Sequence, residues 1–229
     1  MPVVATEHPT RDRGLGRTAV LVTIVLLAGG CGGGDNGRDR AAATRILVTA
    51  DDVPGFTKVR GPSGWPPVYA ACAGDPLLPG RDSSDLPFAS FLRDETPVLR
   101  KLQVDGVESY AVLAGTEAEA ERPVALLADP GFRTCVQRGL EVAQEETVEN
   151  KQVIGSSITD LPTAALGDGV TVAAFRVTVD EEFHHIDHEL TVVHKGRALA
   201  FLFTGRLGID SYPDSERQRL ASVLAGRMP

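Results

Sequence analysis

Apolar residues recur at helical spacing in two parts of the chain. In the segment 130–146 they form a stripe that includes Cys135 and Leu140, which predicts an amphipathic helix with its cysteine on the inward face. The segment 215–228 repeats this pattern near the end of the chain. Between β-prone residues and the first of these helices, Thr116–Glu119 has the form of a capping box, which predicts the start of a further helix.

Period-two alternation predicts strands in the second half of the chain, over the segments 170–179, 190–194 and 197–204. The last two are joined by Lys195-Gly196, which predicts a tight hairpin. A second hairpin is predicted at Asp105-Gly106, because this pair separates the apolar runs 98–104 and 107–115. Strands and helices mixed along the chain in this way predict an α+β fold.

An apolar run near the start of the chain, 18–28, has the length of a signal-peptide hydrophobic region and is too short to span a bilayer. It follows a polar segment with arginines and leads through two glycines to Cys31, an order that resembles a bacterial lipobox. Leu27 lies four residues before the cysteine, where the usual pattern has it three before. We predict that residues 1–30 are a lipoprotein signal peptide and that Cys31 carries the lipid. Cleavage near Gly29 without lipid, and an uncleaved anchor, are the alternatives.

The next segment, 31–43, is rich in glycine and polar residues. Such a composition cannot bury much apolar surface, so we expect a flexible tether. The folded domain is then predicted over 44–229. Within it, the segment 61–97 is rich in Pro, Gly, Ser and Asp, which predicts mostly irregular structure with one short helix around 69–73.

Charge argues against two classes of partner. Residues 31–229 carry 20 basic and 29 acidic side chains, a net charge of −9. An acidic domain without a basic cluster is a poor binder of nucleic acid or of anionic lipid headgroups. We therefore expect the domain to contact the membrane through its lipid anchor and not through its own surface.

The chain has three cysteines. If Cys31 is lipidated, Cys72 and Cys135 remain as an even pair, and outside the cytoplasm such a pair is expected to form a disulfide. The alternative is two buried free thiols.

Several short motifs are spread over most of the predicted domain: TADDVPG at 49–55, Cys72, VLAGTEAEA at 112–120, Cys135, LGDGV at 166–170 and VVHKGRALAFL at 192–202. Together they resemble those of one family, the actinobacterial sensor-domain lipoproteins, and the extracellular sensor domain of mycobacterial serine/threonine kinases of the PknH type. The resemblance implies a curved antiparallel sheet with helices packed on it and a cleft that receives a ligand. It supplies no catalytic residue. The kinase sensor domains have two disulfides, whereas this chain has cysteines for one.

The densest polar cluster in the sequence is DEEFHHIDHE, at 180–189. Its histidines, His184, His185 and His188, are candidate ligands for Zn²⁺ or Cu²⁺. On a strand, however, His184 and His188 would lie about 13 Å apart, too far to bind one ion. We favour the interpretation that this stretch is a solvated, acidic hairpin tip and predict no metal site.

Sequence signatures of common enzyme classes are absent: the chain contains no G-x-S-x-G, no P-loop, no H-E-x-x-H and no C-x-x-C. We therefore predict a protein that is not an enzyme and needs no cofactor. The leading hypothesis is a lipoprotein held at the extracytoplasmic face of the cell membrane, with a sensor-like domain that binds a small, lipidic or cell-wall ligand in a cleft. The alternative is a non-catalytic envelope protein that docks a protein partner.

Overall fold

The computed structural model of this chain describes residues 33–60, 65–73, 86–95, 103–147, 153–182 and 184–229. The described residues form five α-helices: α1 Gly33–Ile46, α2 Trp65–Cys72, α3 Glu117–Leu126, α4 Pro130–Thr147 and α5 Asp214–Arg227. They also form seven strands: β1 Thr57–Lys58, β2 Phe88–Glu95, β3 Gln103–Leu113, β4 Gly155–Asp160, β5 Val170–Asp180, β6 His185–Lys195 and β7 Ala198–Gly208.

The strands make one sheet in the order β1-β2-β3-β7-β6-β5-β4, and every neighbouring pair is antiparallel. Helices cover both faces. One core lies between the sheet and α1 with α5, and the other lies between the sheet and α2, α3 and α4. Alternate residues of each central strand serve the two cores, as Val193 and Val192 of β6 do. The predicted α+β fold with helices packed on an antiparallel sheet is confirmed.

Local signals placed several elements correctly. The Thr116–Glu119 capping box begins α3, with the Glu119 amide donating to Thr116 Oγ1 at 3.2 Å and Glu119 accepting from the Thr116 amide. At α4, Asp129 Oδ1 accepts from the Phe132 amide at 2.7 Å and so caps the helix. The hairpin at Lys195-Gly196 is confirmed, and Gly196 has the positive φ, 55°, that such a turn requires.

The predicted hairpin at Asp105-Gly106 is wrong. Both residues lie within β3, where Asp105 is opposite Arg206 and Gly106 is opposite Gly205. The partner of β3 on its other side is β2, an unpredicted strand. The residues between β2 and β3, which hold most of the apolar run 98–104, lie outside the described residues.

Residues 33–43, expected to belong to a flexible tether, form most of α1. Arg40–Ile46 supplies good helix formers and apolar residues, and Ala43 and Ile46 are 2% and 0% exposed against the core. That packing offsets the low helix propensity of the glycines before it. Residues 33–43 of the predicted tether thus belong to α1, while the predicted signal peptide, residues 1–30, and Cys31 lie outside the described residues.

Candidate functional site

A pocket of about 190 Å³ lies at one end of the sheet, on the face that carries α2, α3 and α4. Strands β2, β3, β7 and β6 contribute to its lining, which is mostly apolar. The lining residues are Ser90, Phe91, Leu92, Val104, Gly106, Val107, Glu108, Ile186, Gly205, Arg206 and Leu207.

The pocket exists because two glycines stand side by side in the sheet. Gly106 of β3 is directly opposite Gly205 of β7, and Leu92 of β2 is opposite Gly106 on the other side. Side chains of alternate residues share a face of a strand, so two glycines in one cross-strand row leave a trough. Leu92, 44% exposed, stands at its rim.

Polar groups meet at the inner end of the trough. Ser90 and Glu108 are opposite each other on β2 and β3 and are 6% and 3% exposed. The Tyr110 hydroxyl donates a hydrogen bond to Glu108 Oε1. Burial, together with the neighbouring Glu108 carboxylate, raises the pKa of Tyr110 well above its usual range, so the hydroxyl stays protonated and remains a donor.

Aromatic rings continue from this polar end toward the helices. Phe88 stacks on Tyr110 with ring centroids 5.7 Å apart, and Tyr110 meets Phe203 edge-on at 5.8 Å. Tyr69 of α2 packs on the other side of Phe203 at 5.0 Å. These rings form an aromatic cluster next to the polar end of the trough and pack the sheet against α2.

His188 lies opposite Gly205, on the neighbouring strand β6. It is 4% exposed. Burial lowers the pKa of His188 to about 4, although the adjacent Asp187 carboxylate acts in the opposite direction. The imidazole is therefore neutral at physiological pH and brings no positive charge to this end of the sheet.

On the reverse face of the same strands, ion pairs hold the sheet together. Asp105 of β3 accepts from Arg93 of β2 and from Arg206 of β7. Arg206 also donates to the Ser211 carbonyl at 3.2 Å, which ties β7 to the segment that leads into α5. The strands that floor the pocket are thus linked by charge on their opposite side.

Another buried carboxylate, Glu189 of β6, lies one row further along this face. It accepts from Thr204 Oγ1 at 2.6 Å and from Arg176 Nε at 2.8 Å, and Arg217 of α5 is 3.7 Å away. Burial raises the pKa of Glu189, against the lowering effect of these partners. Because all of these groups face the helices α1 and α5, we assign them a structural role.

The candidate metal ligands do not converge. His184 lies in the β5–β6 turn with its Nε2 2.7 Å from Glu181 Oε2, whereas His185 and His188 are three residues apart on β6 and so face opposite sides of the sheet. Within the ranges that the structure describes, no three His, Cys, Asp or Glu side chains are grouped to hold a metal ion.

The prediction of a solvated hairpin tip is wrong for most of its length. Only the start of the stretch 180–189 forms the turn, and Asp187, His188 and Glu189 lie within β6 at 0%, 4% and 0% exposure. This stretch is polar in composition and still forms a buried strand. Its carboxylates can be buried because Thr178, Arg176 and Thr204 on the neighbouring strands bind them.

The predicted disulfide is confirmed: Cys72 and Cys135 are bonded, with their Cα atoms 5.6 Å apart. It joins the end of α2 to α4. The helical spacing predicts Cys135 on the inward face of α4, and this prediction is wrong. Cys135 is exposed at the edge of the apolar stripe. The two helices approach closely here, since a Cβ at Gly139 would lie 2.6 Å from Val68 Cγ1.

Sequence reasoning missed the pocket residues. Gly106 was assigned to a turn and Glu108 to the strand after it, and nothing in the local sequence indicates that Gly205, about a hundred residues later, lies beside Gly106. A glycine inside an otherwise apolar strand pattern is the one available signal, because it often marks a place where another group approaches the backbone.

Comparison with known proteins gives no family. No family model matches the chain, and no curated protein matches it. Among solved structures, an uncharacterised protein from Mycobacterium smegmatis, described as the Rv0999 ortholog, is similar with a TM-score of 0.39 and 13% sequence identity. The match covers 83% of this chain and 97% of that one. A similarity of this size assigns neither a family nor a function. In the part of the chain that the structure covers, none of the helices has the length and apolarity needed to cross a bilayer.

Proposed function

We propose that this chain is an extracytoplasmic lipoprotein, anchored through Cys31, whose sensor-like domain binds a small ligand in the trough between Gly106 and Gly205. The observation that carries the proposal is the trough itself, a mostly apolar space with the Glu108 carboxylate and the Ser90 hydroxyl at its inner end. Apolar walls with a few convergent polar groups are the usual design of a ligand site. The proposal assigns no catalytic residue.

The volume of the trough limits the size of the group that can enter it. A closed apolar cavity of about 150 Å³ accepts a benzene ring, so the trough of about 190 Å³ holds one ring or a short acyl segment. A small molecule would fit whole. A larger lipidic or cell-wall ligand would insert one apolar group and leave the rest outside the trough.

The polar end selects among such ligands. Glu108 and Ser90 offer oxygen acceptors, and a carboxylate accepts several hydrogen bonds at once. A ligand that carries a hydroxyl or amine at the end of its apolar group is therefore favoured over a pure hydrocarbon. The Tyr110 hydroxyl, which already donates to Glu108, holds that carboxylate in position.

The experiment that tests ligand binding is extraction with organic solvent of the full chain purified from its own membrane, followed by mass spectrometry. We expect a small molecule in stoichiometric amount. The variant Gly106→Val should lose it, because a side chain at this position enters the trough. Gly155→Val is the matched control, since β4 has room for a Cβ there and lies at the far edge of the sheet.

If the wild-type chain yields no small molecule and instead retains a protein through mild purification, the alternative of a docking protein gains support. Phe88 and Leu92, 38% and 44% exposed beside the trough, would be the first contacts to test. Substitution of both by serine would then release the protein partner.

The anchor is tested separately by metabolic labelling with a fatty acid. The full chain should take up label and the Cys31→Ala variant should not. Label that persists in the variant would contradict lipidation at this cysteine.

A further inference from the structure

We infer that the trough opens at the end of the domain that points away from the membrane, so that its ligand arrives from the envelope and not sideways from the bilayer. This inference rests on the proposed lipid anchor at Cys31. It follows from the path of α1 and from the register of the sheet.

Helix α1 begins at the end of the sheet that holds the β6–β7 turn, which we call the hairpin end. Asp39 in α1 forms an ion pair at 3.0 Å with Arg197, the residue after the turn. At the other end of α1, the Val48 amide donates to Ser109 Oγ at 3.0 Å, near the middle of β3. The helix therefore runs inward from the hairpin end.

The part of α1 that precedes Asp39 continues outward. Its six residues, from Gly33 onward, carry the chain about 9 Å beyond the ion pair at 1.5 Å per residue. Only Gly32 then separates the helix from Cys31, and two residues reach about 7 Å at most. By chain length alone, a lipid on Cys31 would therefore be attached within about 7 Å of the first residue of α1, which favours a domain held by its hairpin end.

The trough lies at the opposite end of the same strands. Leu113 is opposite Ala198 at the hairpin end, whereas Val104 is opposite Leu207 in the trough. The nine residue steps of β3 between these rows span about 30 Å, and the row of Gly106 and Gly205, seven steps from Leu113, lies about 23 Å from the hairpin end. Helix α5 runs in the opposite direction to α1, toward the hairpin end. Arg176 donates to the Tyr212 carbonyl, just before α5 begins, and Lys195 Nζ donates to the Met228 carbonyl, just after α5 ends.

Charges of both signs occur at the hairpin end. The described residues there include Lys195 and Arg197 as well as Asp39 and Asp168, and Arg197 is paired with Asp39. The orientation is therefore set by the short link to Cys31 and should be insensitive to salt.

The orientation of the domain determines where its ligand can come from. The glycine row of the trough lies about 23 Å above the hairpin end, which is more than the thickness of a headgroup layer, so in this orientation the trough cannot take up a lipid that remains in the same bilayer. A diffusible small molecule, or an apolar group displayed by the cell wall, reaches it directly.

The test uses single reporter cysteines at two exposed positions, Asp168→Cys at the hairpin end and Ile209→Cys, 50% exposed, at the trough end. Each lipidated full chain is labelled with a fluorophore under non-reducing conditions and reconstituted in vesicles that contain a headgroup-linked quencher. We expect loss of fluorescence at position 168 and none at position 209, unchanged by added salt. Equal or stronger quenching at position 209 would overturn the orientation.

The Cys31→Ala variant in the same two backgrounds separates this inference from the anchor on which it rests. It should no longer bind the vesicles. If it still binds, the anchor proposal is wrong and the orientation falls with it. If the anchor is confirmed and position 209 is quenched, the orientation alone is wrong, and solvent extraction still decides whether the trough binds a ligand.

Discussion

Asp105 of β3 and Arg206 of β7 are directly opposite each other on adjacent strands and form a bidentate ion pair. Arg206 Nε lies 2.6 Å from Asp105 Oδ1, and Arg206 Nη2 lies 3.1 Å from Asp105 Oδ2. Arg93 of β2 contacts the same carboxylate from the other side. Asp105 is fully buried. One carboxylate therefore links the three strands whose opposite faces form the floor and rim of the trough.

Replacing Asp105 by alanine should destabilise the domain strongly. The substitution leaves the buried Arg206 without the carboxylate that it shares with Arg93, and the loss of one partner of a buried pair costs about 3 kcal/mol or more. Urea unfolding measures this change in free energy. The control Asp168→Ala, on an exposed turn, should change it by less than about 0.5 kcal/mol. A similar small change for Asp105→Ala would show that the pair contributes little.

This ion pair also explains the wrong turn prediction. Asp-Gly between apolar runs is a local signal, whereas the arginines that stabilise Asp105 within a strand lie 12 and 101 residues away in sequence. Local propensity cannot include partners at such a separation. Gly106 was predicted to lie in the same turn. It lies within β3 instead, opposite Gly205 of β7, and the two glycines together leave the trough.

Strand β2 and the start of β6 were not predicted either, because both faces of the sheet are buried. A sheet covered by helices on both sides loses the simple alternation of apolar and polar residues. In β6 the charged residues Asp187 and Glu189 are buried because cross-strand partners bind them. Helices with caps and a single apolar stripe, such as α3 and α4, were predictable because their signals are local.

His188 should make the stability of the domain depend on pH. Its pKa is about 4 in the folded state and 6.5 as the ordinary value. Between these values the unfolded state binds a proton that the folded state does not, so stability falls as the pH is lowered from about 6.5 toward 4. The contribution of His188 approaches about 1.4 kcal/mol per pH unit within that range.

Urea unfolding at several pH values between 7 and 4 measures this slope. The His188→Gln variant should lose the contribution of this imidazole, and its stability should depend less on pH than that of the wild type. Val177→Ala, a substitution at the buried residue opposite His188, is a control for general destabilisation and should keep the wild-type slope. An unchanged slope in His188→Gln would contradict the buried neutral imidazole.

The helix at residues 33–46 is tested by Gly37→Ala. A Cβ at Gly37 meets nothing within 4 Å, so the substitution should stabilise a helical segment by up to about 1 kcal/mol. Gly55→Ala is the opposite control: it also has space, but its φ of +85° disfavours a side chain, and it should destabilise the domain. If Gly37→Ala leaves the thermal midpoint unchanged, these residues behave as the tether that their composition first indicated.

Removal of the disulfide should lower stability substantially. The bond between Cys72 and Cys135 closes a long loop, with a sequence separation of 63 residues, for which the chain-entropy model gives about 4 kcal/mol. The double alanine variant and the reduced wild-type protein should unfold at similarly lower urea concentrations. Peptide mapping without reductant should detect the bonded pair in exported protein, and free thiols at both positions would contradict it.

The location of the ligand is the central claim, and a crystal structure of the full chain purified with its bound material tests it most directly. We predict electron density for a small apolar group between Gly106 and Gly205, with a polar atom within hydrogen-bond distance of Glu108. Density for the extracted molecule elsewhere on the domain, or a trough that holds only water, would contradict the account.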